Sequence, residues 1–410
     1  MKVEATLSPG STQANPRSGQ PVVCEHGVVS SGMPPIEPFP QWLVDYTAWH
    51  RAHRNSPDAQ FIMYSCHQKM NGAMGNICGG HGNRFKQIGW TLRVAAVNRL
   101  VLLVDWVSPE NLEEFLEPAE VDWRPNAEER KLLASENHPH VWRMGWPSKN
   151  TVPPPPSKYV RITAGGEHGA ACYNCTDYVA SFVTLYRYLF RAAPAFKQQV
   201  HAARAQLFGP GVRYNSMHIR MGDSAEGTKL KATSQFYSDI KDARCSLAQA
   251  AVAVACVASA APGHPLFVAT DNAALKAALL AREPALLNAT ALVGARAFRR
   301  VVVTGCTDCM VNAVQRHSLD PEGVKAIFVD VALLAGAQDF VRMGQLSNYA
   351  TWAEGWRGAS MQAPYSFFFP SRYNERQGRA KCTDWLGTTA RGARLLNQSN
   401  AAAGFLRSGV

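Results

Sequence analysis

The sequence predicts an α/β protein of two Rossmann-like halves facing a cleft. Three observations carry this reading. Short apolar runs alternate with stretches of helical periodicity along most of the chain, the signature of strands and helices taking turns in a parallel sheet. A glycine-rich stretch separates the first such run from the first long helix, as in a βαβ unit. A second strand, ending in His218-Ile-Arg-Met-Gly-Asp223, restarts the alternation after Gly209-Pro-Gly211.

Taken in order, residues 1–38 are polar and rich in Gly, Ser and Pro, and read as a flexible lead-in. An N-terminal α/β domain is expected over 39–210, a second, nucleotide-binding Rossmann-like domain over 211–375, and a tail over 376–410. Trp42, Leu43, Tyr46 and Trp49 recur at helical spacing, which makes Pro40–Arg51 an amphipathic helix. Phe61–Ser65 is the first buried strand, Phe85–Asn98 a helix and Arg99–Trp106 the next strand. Pro153–Pro156 marks a stiff polyproline connection. Helices over Tyr178–Phe190 and Phe196–Phe208 follow, divided by Pro194. The second half reads as a strand to His218, a helix including Gln235–Ala260, strand Pro265–Ala269, helix Ala273–Arg282 and strand Phe298–Thr304. Helix Val324–Ala335, strand Asp339–Arg342 and helix Asn348–Trp356 complete it. Ligands of such open sheets bind outside the carboxyl ends of the strands.

Composition narrows the partners. Of 410 residues, 46% are hydrophobic and 18% charged, which excludes a disordered chain. Lys plus Arg exceed Asp plus Glu by 11 (42 against 31), favouring anionic ligands such as sugar nucleotides or acidic glycans. The positive charges are spread singly, so a nucleic-acid groove is not expected. No apolar run reaches the roughly 18 residues of a membrane span. Cys172-Tyr-Asn-Cys175 and Cys306-Thr-Asp-Cys309 are two CxxC pairs among ten cysteines. Their separation of about 130 residues is far from zinc-ribbon spacing, so disulfides are expected over zinc. Sequons at Asn174, Asn288 and Asn397 permit the same oxidising compartment, and the ER or Golgi lumen is the expected location. The amino terminus argues the other way, because Met1–Gln20 lacks the apolar core of a signal peptide. The chain is then either intracellular, or lacks an anchor that its full-length form has.

Three stretches can carry chemistry. His218 and Arg220 have the same parity, so an extended strand delivers both to one face. They suit an anion site with a proton-handling group, or a polar strand end that meets solvent. Gly222 permits the bend that follows, and Asp223 can cap it. In the glycine-rich stretch, Gly79, Gly80 and Gly82 let backbone N–H groups approach an anion at a helix start, or simply make a tight turn. It lacks the Gly-Lys-Ser/Thr of a phosphate-binding Walker loop and the third glycine of the dinucleotide fingerprint. Asn83 and Arg84 favour the anion reading, because the helix dipole alone would disfavour an arginine there. Asp271, ending the run Leu266-Phe-Val-Ala-Thr-Asp271, can accept hydrogen bonds from a base or ribose, or cap the Ala273 helix. Ser347 and Asn348 stand at a helix start, where an N-cap explains them.

The order of CGGHGNRFKQI, VLLVDW with FLEPAEVDW, HIRMGD, FVATD and DVALLAGAQDFV…LSNYATWA resembles the GDP-fucose-dependent fucosyltransferases, in particular the plant, algal and protein-O-fucosyltransferase-like branch. The resemblance spans residues 60 to 370, roughly, as five motifs in order. It implies a GT-B fold, GDP-fucose as donor, a glycan or glycoprotein hydroxyl as acceptor, and no metal or other cofactor. By the same resemblance Arg220 holds the diphosphate with its two-pronged guanidinium and His218 contacts the nucleotide or donor sugar. Asn83, beside Arg84 and the backbone of Gly80 and Gly82, lines the donor cleft; Asp271 reads guanine, and Ser347 bonds a phosphate oxygen. Asp223, Glu226 and Glu167 are the candidate bases for the acceptor hydroxyl. His81 stands where the family has Leu or Phe, which makes it a possible acceptor contact. Ser347-Asn-Tyr-Ala stands where the family has a Ser-x-Phe-Ser-like segment, which puts Ser347 in doubt. The alternatives are another nucleotide sugar on the same fold, or a catalytically silent relative that binds nucleotide or glycan.

Overall fold

A computed structural model describes residues 38–66, 81–107, 110–134, 158–163, 178–220, 263–270, 272–281, 301–304, 321–338, 340–344 and 348–359, with short strands and a few single residues elsewhere. Its strands are β1 (Gln13–Ala14), β2 (Pro21–Val22), β3 (Val29–Gly32), β4 (Phe61–Cys66), β5 (Val101–Trp106), β6 (Leu116–Pro118), β7 (Val141–Trp142) and β8 (Tyr159–Thr163). They continue as β9 (Phe190–Ala192), β10 (Asn215–Arg220), β11 (Leu266–Thr270), β12 (Val301–Val302), β13 (Phe340–Gly344) and β14 (Ser366–Phe369). The helices are α1 (Gln41–His53), α2 (His81–Asn98), α3 (Ala127–Ala134), α4 (Tyr178–Leu189), α5 (Pro194–Phe208), α6 (Ala273–Ala281), α7 (Pro321–Ala335) and α8 (Asn348–Ala359).

Two parallel sheets result. The first runs β5-β4-β8-β7 and the second β12-β11-β10-β13-β14-β3, with every pair parallel except β14–β3. The α/β class is therefore as the alternation predicted. β4 and β5 are buried along their whole length, the pattern of strands covered on both faces. β3 is a departure: Val29–Gly32 lies within the expected flexible lead-in, yet pairs antiparallel with β14 as the edge of the second sheet. Nothing in its local composition signals this, because the unpaired edge of β14 supplies the hydrogen bonds. The β6–β9 ribbon, α3 and β8 also escaped the periodicity. Cys66, closing β4, is disulfide-bonded. Both CxxC pairs, Pro153–Pro156, Glu167 and most of the expected Gln235–Ala260 helix lie outside the described residues.

Pro194 separates the two helices, as expected, and starts the second. It occupies the first turn of α5, where its missing N–H costs nothing. Gly209 (φ +92°) and Gly211 (φ +73°) then turn the chain into β10 through backbone conformations that L side chains rarely adopt. Behind β10, Tyr214 Oη donates to the Leu333 carbonyl (2.7 Å) and Ser216 Oγ to that of Leu334 (2.9 Å), tying the strand to the end of α7. Arg357 of α8 donates to the carbonyls of Ala337 and Gln338 (2.7 Å each) and fixes the turn between α7 and β13.

The buried core is continuous across the two halves. α8, from the second half, packs on α2 and α4 of the first through Trp352, Gly355 and Trp356. A Cβ on Gly355 would stand 2.7 Å from Phe182 Cε1 and 3.0 Å from Tyr186 Cγ, both on buried rings. Replacing it with alanine gains about 1 kcal/mol of helix propensity but forces overpacking worth about 1–3 kcal/mol. We expect Gly355→Ala to unfold at lower urea than wild type and Gly355→Val at lower urea still. A midpoint for the valine variant at or above that of wild type would contradict this packing.

Candidate functional site

The chemistry-bearing stretches converge on the carboxyl edge of the second sheet and the start of α2. On β10, Met217 and Ile219 are fully buried, and His218 is 1% exposed. Its ring lies 5.2 Å from that of Tyr349, in the first turn of α8. Arg220 ends the strand, in register with Gly344 of β13, which puts it at the edge where ligands of parallel sheets bind. Its side chain is outside the described ones, as are Asp223, Glu226, Asp271, Ser347 and Gly80 altogether.

At the end of β11 the sequence left Asp271 either to read a base or to cap a helix. The cap is Asn272. Its Oδ1 accepts from Leu275 N (2.8 Å), while its own N–H reaches Thr270 Oγ1 (3.2 Å). The cap position falls one residue later than the strand pattern suggested, so α6 does not need Asp271 for its first turn.

α2 begins at His81, four residues before its apolar periodicity does, so His81, Gly82, Asn83 and Arg84 form its first turn rather than a loop. Asn83 is half-buried; Gly82 is buried. Arg84 is 6% exposed, with its guanidinium 4.7 Å above the Trp106 ring. Burial pulls it down to about 10, against the opposing pull of Tyr64. Its charge is thus spent on an aromatic face rather than displayed to solvent. The register explains this, because residues 81, 84, 85 and 88 share the buried side of the helix.

His81 is likewise enclosed, tilted against Trp106 (5.4 Å), edge-on to Phe328 (5.6 Å) and stacked on Trp352 (5.8 Å). Burial, reinforced by Arg84, holds it well below the ordinary histidine range, so it is neutral. Trp352 also touches Tyr349 (5.8 Å), and its indole N–H donates to Tyr186 Oη (3.2 Å). A chain of ring contacts therefore runs His218–Tyr349–Trp352–His81, joining the two stretches that the sequence singled out separately. Sequence reasoning missed Tyr349 and Trp352 as connectors. The sequence placed both on a helix over Asn348–Trp356, but did not show what that helix meets.

It also missed a buried polar cluster, Lys276 with Thr304 and Asp330, at the neighbouring edge of the sheet. Thr304 opens on a cavity of about 410 Å³ that Gln199, Glu322, Lys325, Ala326 and Val329 also line. Among the described residues no three His, Cys, Asp or Glu side chains are grouped to hold a metal ion. No described helix is long and apolar enough to cross a membrane.

No family model matches the chain, and no curated protein does. Among solved structures it is similar to NodZ alpha-1,6-fucosyltransferase of Bradyrhizobium soaked with GDP-fucose: 14% identity, 72% of this chain and 91% of that one, TM-score 0.41. It is similar also to Arabidopsis thaliana FUT1, as a mutant in complex with GDP (11% identity, 83% and 82% covered, TM-score 0.47). A third is POFUT1 in complex with GDP-fucose (12% identity, 76% and 99% covered, TM-score 0.44). At these identities and TM-scores the likenesses establish neither family nor chemistry; the α/β fold rests on the chain's own two parallel sheets.

Proposed function

We propose that this protein is a GT-B-type glycosyltransferase that moves fucose from GDP-fucose to a glycan or protein hydroxyl. The observation that carries the reading is the placement of His218 and Arg220 at the carboxyl end of β10, joined through Tyr349 and Trp352 to the Gly82-Asn83-Arg84 helix start. The order of motifs agrees with it. In this reading Arg220 binds the diphosphate as its negative charge grows, and a fixed guanidinium stabilises that charge without reorganisation. Asp271, which follows Thr270 of β11 in the sequence, reads the base in this proposal. Asp223, Glu226 or Glu167 takes the proton of the acceptor hydroxyl. The reading requires no resident metal, so turnover survives chelation with EDTA. An oxidising lumen suits the disulfide at Cys66.

Arg220→Ala is expected to lower kcat by about a hundred- to a thousandfold, the loss typical of one transition-state donor. Its circular dichroism spectrum and unfolding midpoint stay those of wild type. Undiminished turnover of GDP-fucose in a folded variant would sink the proposal. Competition by GDP, UDP and CMP separates fucose transfer from transfer out of another nucleotide sugar. GDP binding without release of fucose to any acceptor or to water would mark a silent relative.

A further inference from the structure

The cluster beside the cavity has no part in that mechanism, and burying it costs free energy. Lys276, in the first turn of α6, is 2% exposed, and Asp330, in α7, is 1% exposed. Lys276 Nζ donates to Thr304 Oγ1 (2.8 Å) and lies 3.7 Å from Asp330 Oδ2; Thr304 Oγ1 donates to that same oxygen (3.2 Å). Asp330 Oδ1 is buried with no hydrogen-bond partner. Burial lowers the lysine and raises the aspartate, so each ion is held against its own desolvation. A well-packed apolar trio at such a place is commonly as stable as the ions or more so. Stability alone therefore does not account for them.

What the cluster does geometrically is join three segments that leave the carboxyl edge of the second sheet. Lys276 is bound at both ends: its backbone N–H donates to the Asn272 carbonyl (3.1 Å), and its ammonium is anchored on Thr304 and Asp330. Asn272 in turn is held to Thr270 Oγ1 (3.2 Å) and to Leu275 N (2.8 Å). The start of α6, and through Asn272 the end of β11, are thereby braced against Thr304 and the body of α7.

We infer that Lys276, with Thr304 and Asp330, positions Asn272 and through it the carboxyl end of β11, and so sets how tightly and how selectively that strand end holds the purine base of a nucleoside diphosphate. This rests on the reading of the site given above. Lys276 is a positioning residue: it acts through Asn272 and touches no reacting atom.

The test compares the full-length wild type with Lys276→Met/Asp330→Leu, which removes both charges at similar volume. Thr304→Val removes the bridging hydroxyl, Thr304→Ser keeps it, and Gly355→Ala serves as a remote destabilised control. Calorimetry with GDP and UDP gives affinity and base preference; kinetics with GDP-fucose give KM and kcat separately. The double variant is expected to keep its thermal midpoint, to weaken GDP binding and raise donor KM by about tenfold, and to narrow the GDP-over-UDP preference. Its kcat stays within about twofold of wild type, since no group at the diphosphate changes. Thr304→Val shifts in the same direction and provides the test should the double variant not fold, while Thr304→Ser behaves as wild type. Unchanged GDP affinity and preference in a folded double variant or in Thr304→Val overturns the inference alone. So does a loss of affinity in Gly355→Ala that matches theirs. A wild-type chain that binds no GDP overturns the proposed function as well.

Discussion

Trp352→Ala is expected to destabilise the protein by about 3–5 kcal/mol, the range for truncating a buried aromatic residue to alanine. Trp352 is 0% exposed and holds partners from both halves of the chain at once. Its ring meets Phe85 at 4.9 Å and stacks on His81 at 5.8 Å on the side of the first sheet. On the side of the second it meets Phe328 edge-on at 4.8 Å and Tyr349 at 5.8 Å. The indole N–H is satisfied by Tyr186 Oη, so truncation also removes a buried hydrogen bond. Each aromatic contact adds about 0.5–1.5 kcal/mol beyond the area it buries, and losing them together argues for the upper end of the range. Trp352→Phe, which keeps ring contacts and loses the hydrogen bond, should recover most of the loss. Chemical unfolding of the three proteins measures it. A loss below about 1 kcal/mol for the alanine variant would mean that the seam between the halves does not depend on this ring. Because Tyr349 connects Trp352 to His218, we also expect the alanine variant to lose more turnover than its folded fraction accounts for.

The second large effect is a loss of stability in mild acid. Burial brings His50 from 6.5 down to about 4; the Leu102 carbonyl opposes the shift, and Arg54 adds to it. The ring is 1% exposed, with Nε2 3.5 Å from that carbonyl. A histidine whose folded pKa is depressed stays neutral in the native state while the unfolded chain takes up a proton. Its contribution is therefore complete above about pH 6.5, the unfolded value, and is lost as pH falls towards about 4, where the folded ring titrates too. A shift of this size corresponds to about 3 kcal/mol. His81, also held neutral by burial, adds loss of the same sign. Unfolding midpoints between pH 7.5 and 4.5, roughly, should fall steadily, and His50→Gln, which keeps a donor for the Leu102 carbonyl, should flatten the fall. An equal slope in wild type and variant would show that His50 is not held neutral.

Both effects arise on helices that the sequence located without showing what they pack against. Trp352 belongs to a helix that periodicity located well, Asn348–Trp356 against an observed Asn348–Ala359. That Trp352 would stack on the first residue of α2, some 270 positions earlier, is a long-range fact that no local window holds. Arg84 was legible as a cation at a helix start. Its turn inward onto Trp106 depends on α2 beginning four residues before its apolar pattern does. The cap on α6 moved from Asp271 to Asn272, because two neighbouring cap-forming residues cannot be told apart until the strand end is known. β3 is the extreme instance. Its four residues pair only because β14 offers an open edge.

What the sequence determined by itself is therefore the alternation, and with it the α/β class and the two strands near whose ends His218, Arg220 and Thr270 stand, although the expected ends, His218 and Ala269, fall short of the observed Arg220 and Thr270. Period-2 and period-3.6 burial are local, and a parallel strand carries its own signature of continuous apolar residues. The tertiary structure alone decided which strand ends became neighbours and which rings bridge α2 to β10. It also decided that Lys276, Thr304 and Asp330, which stand in three separate segments, share one site. Such contacts follow from strand order and helix crossing, and a local reading of a chain does not contain them.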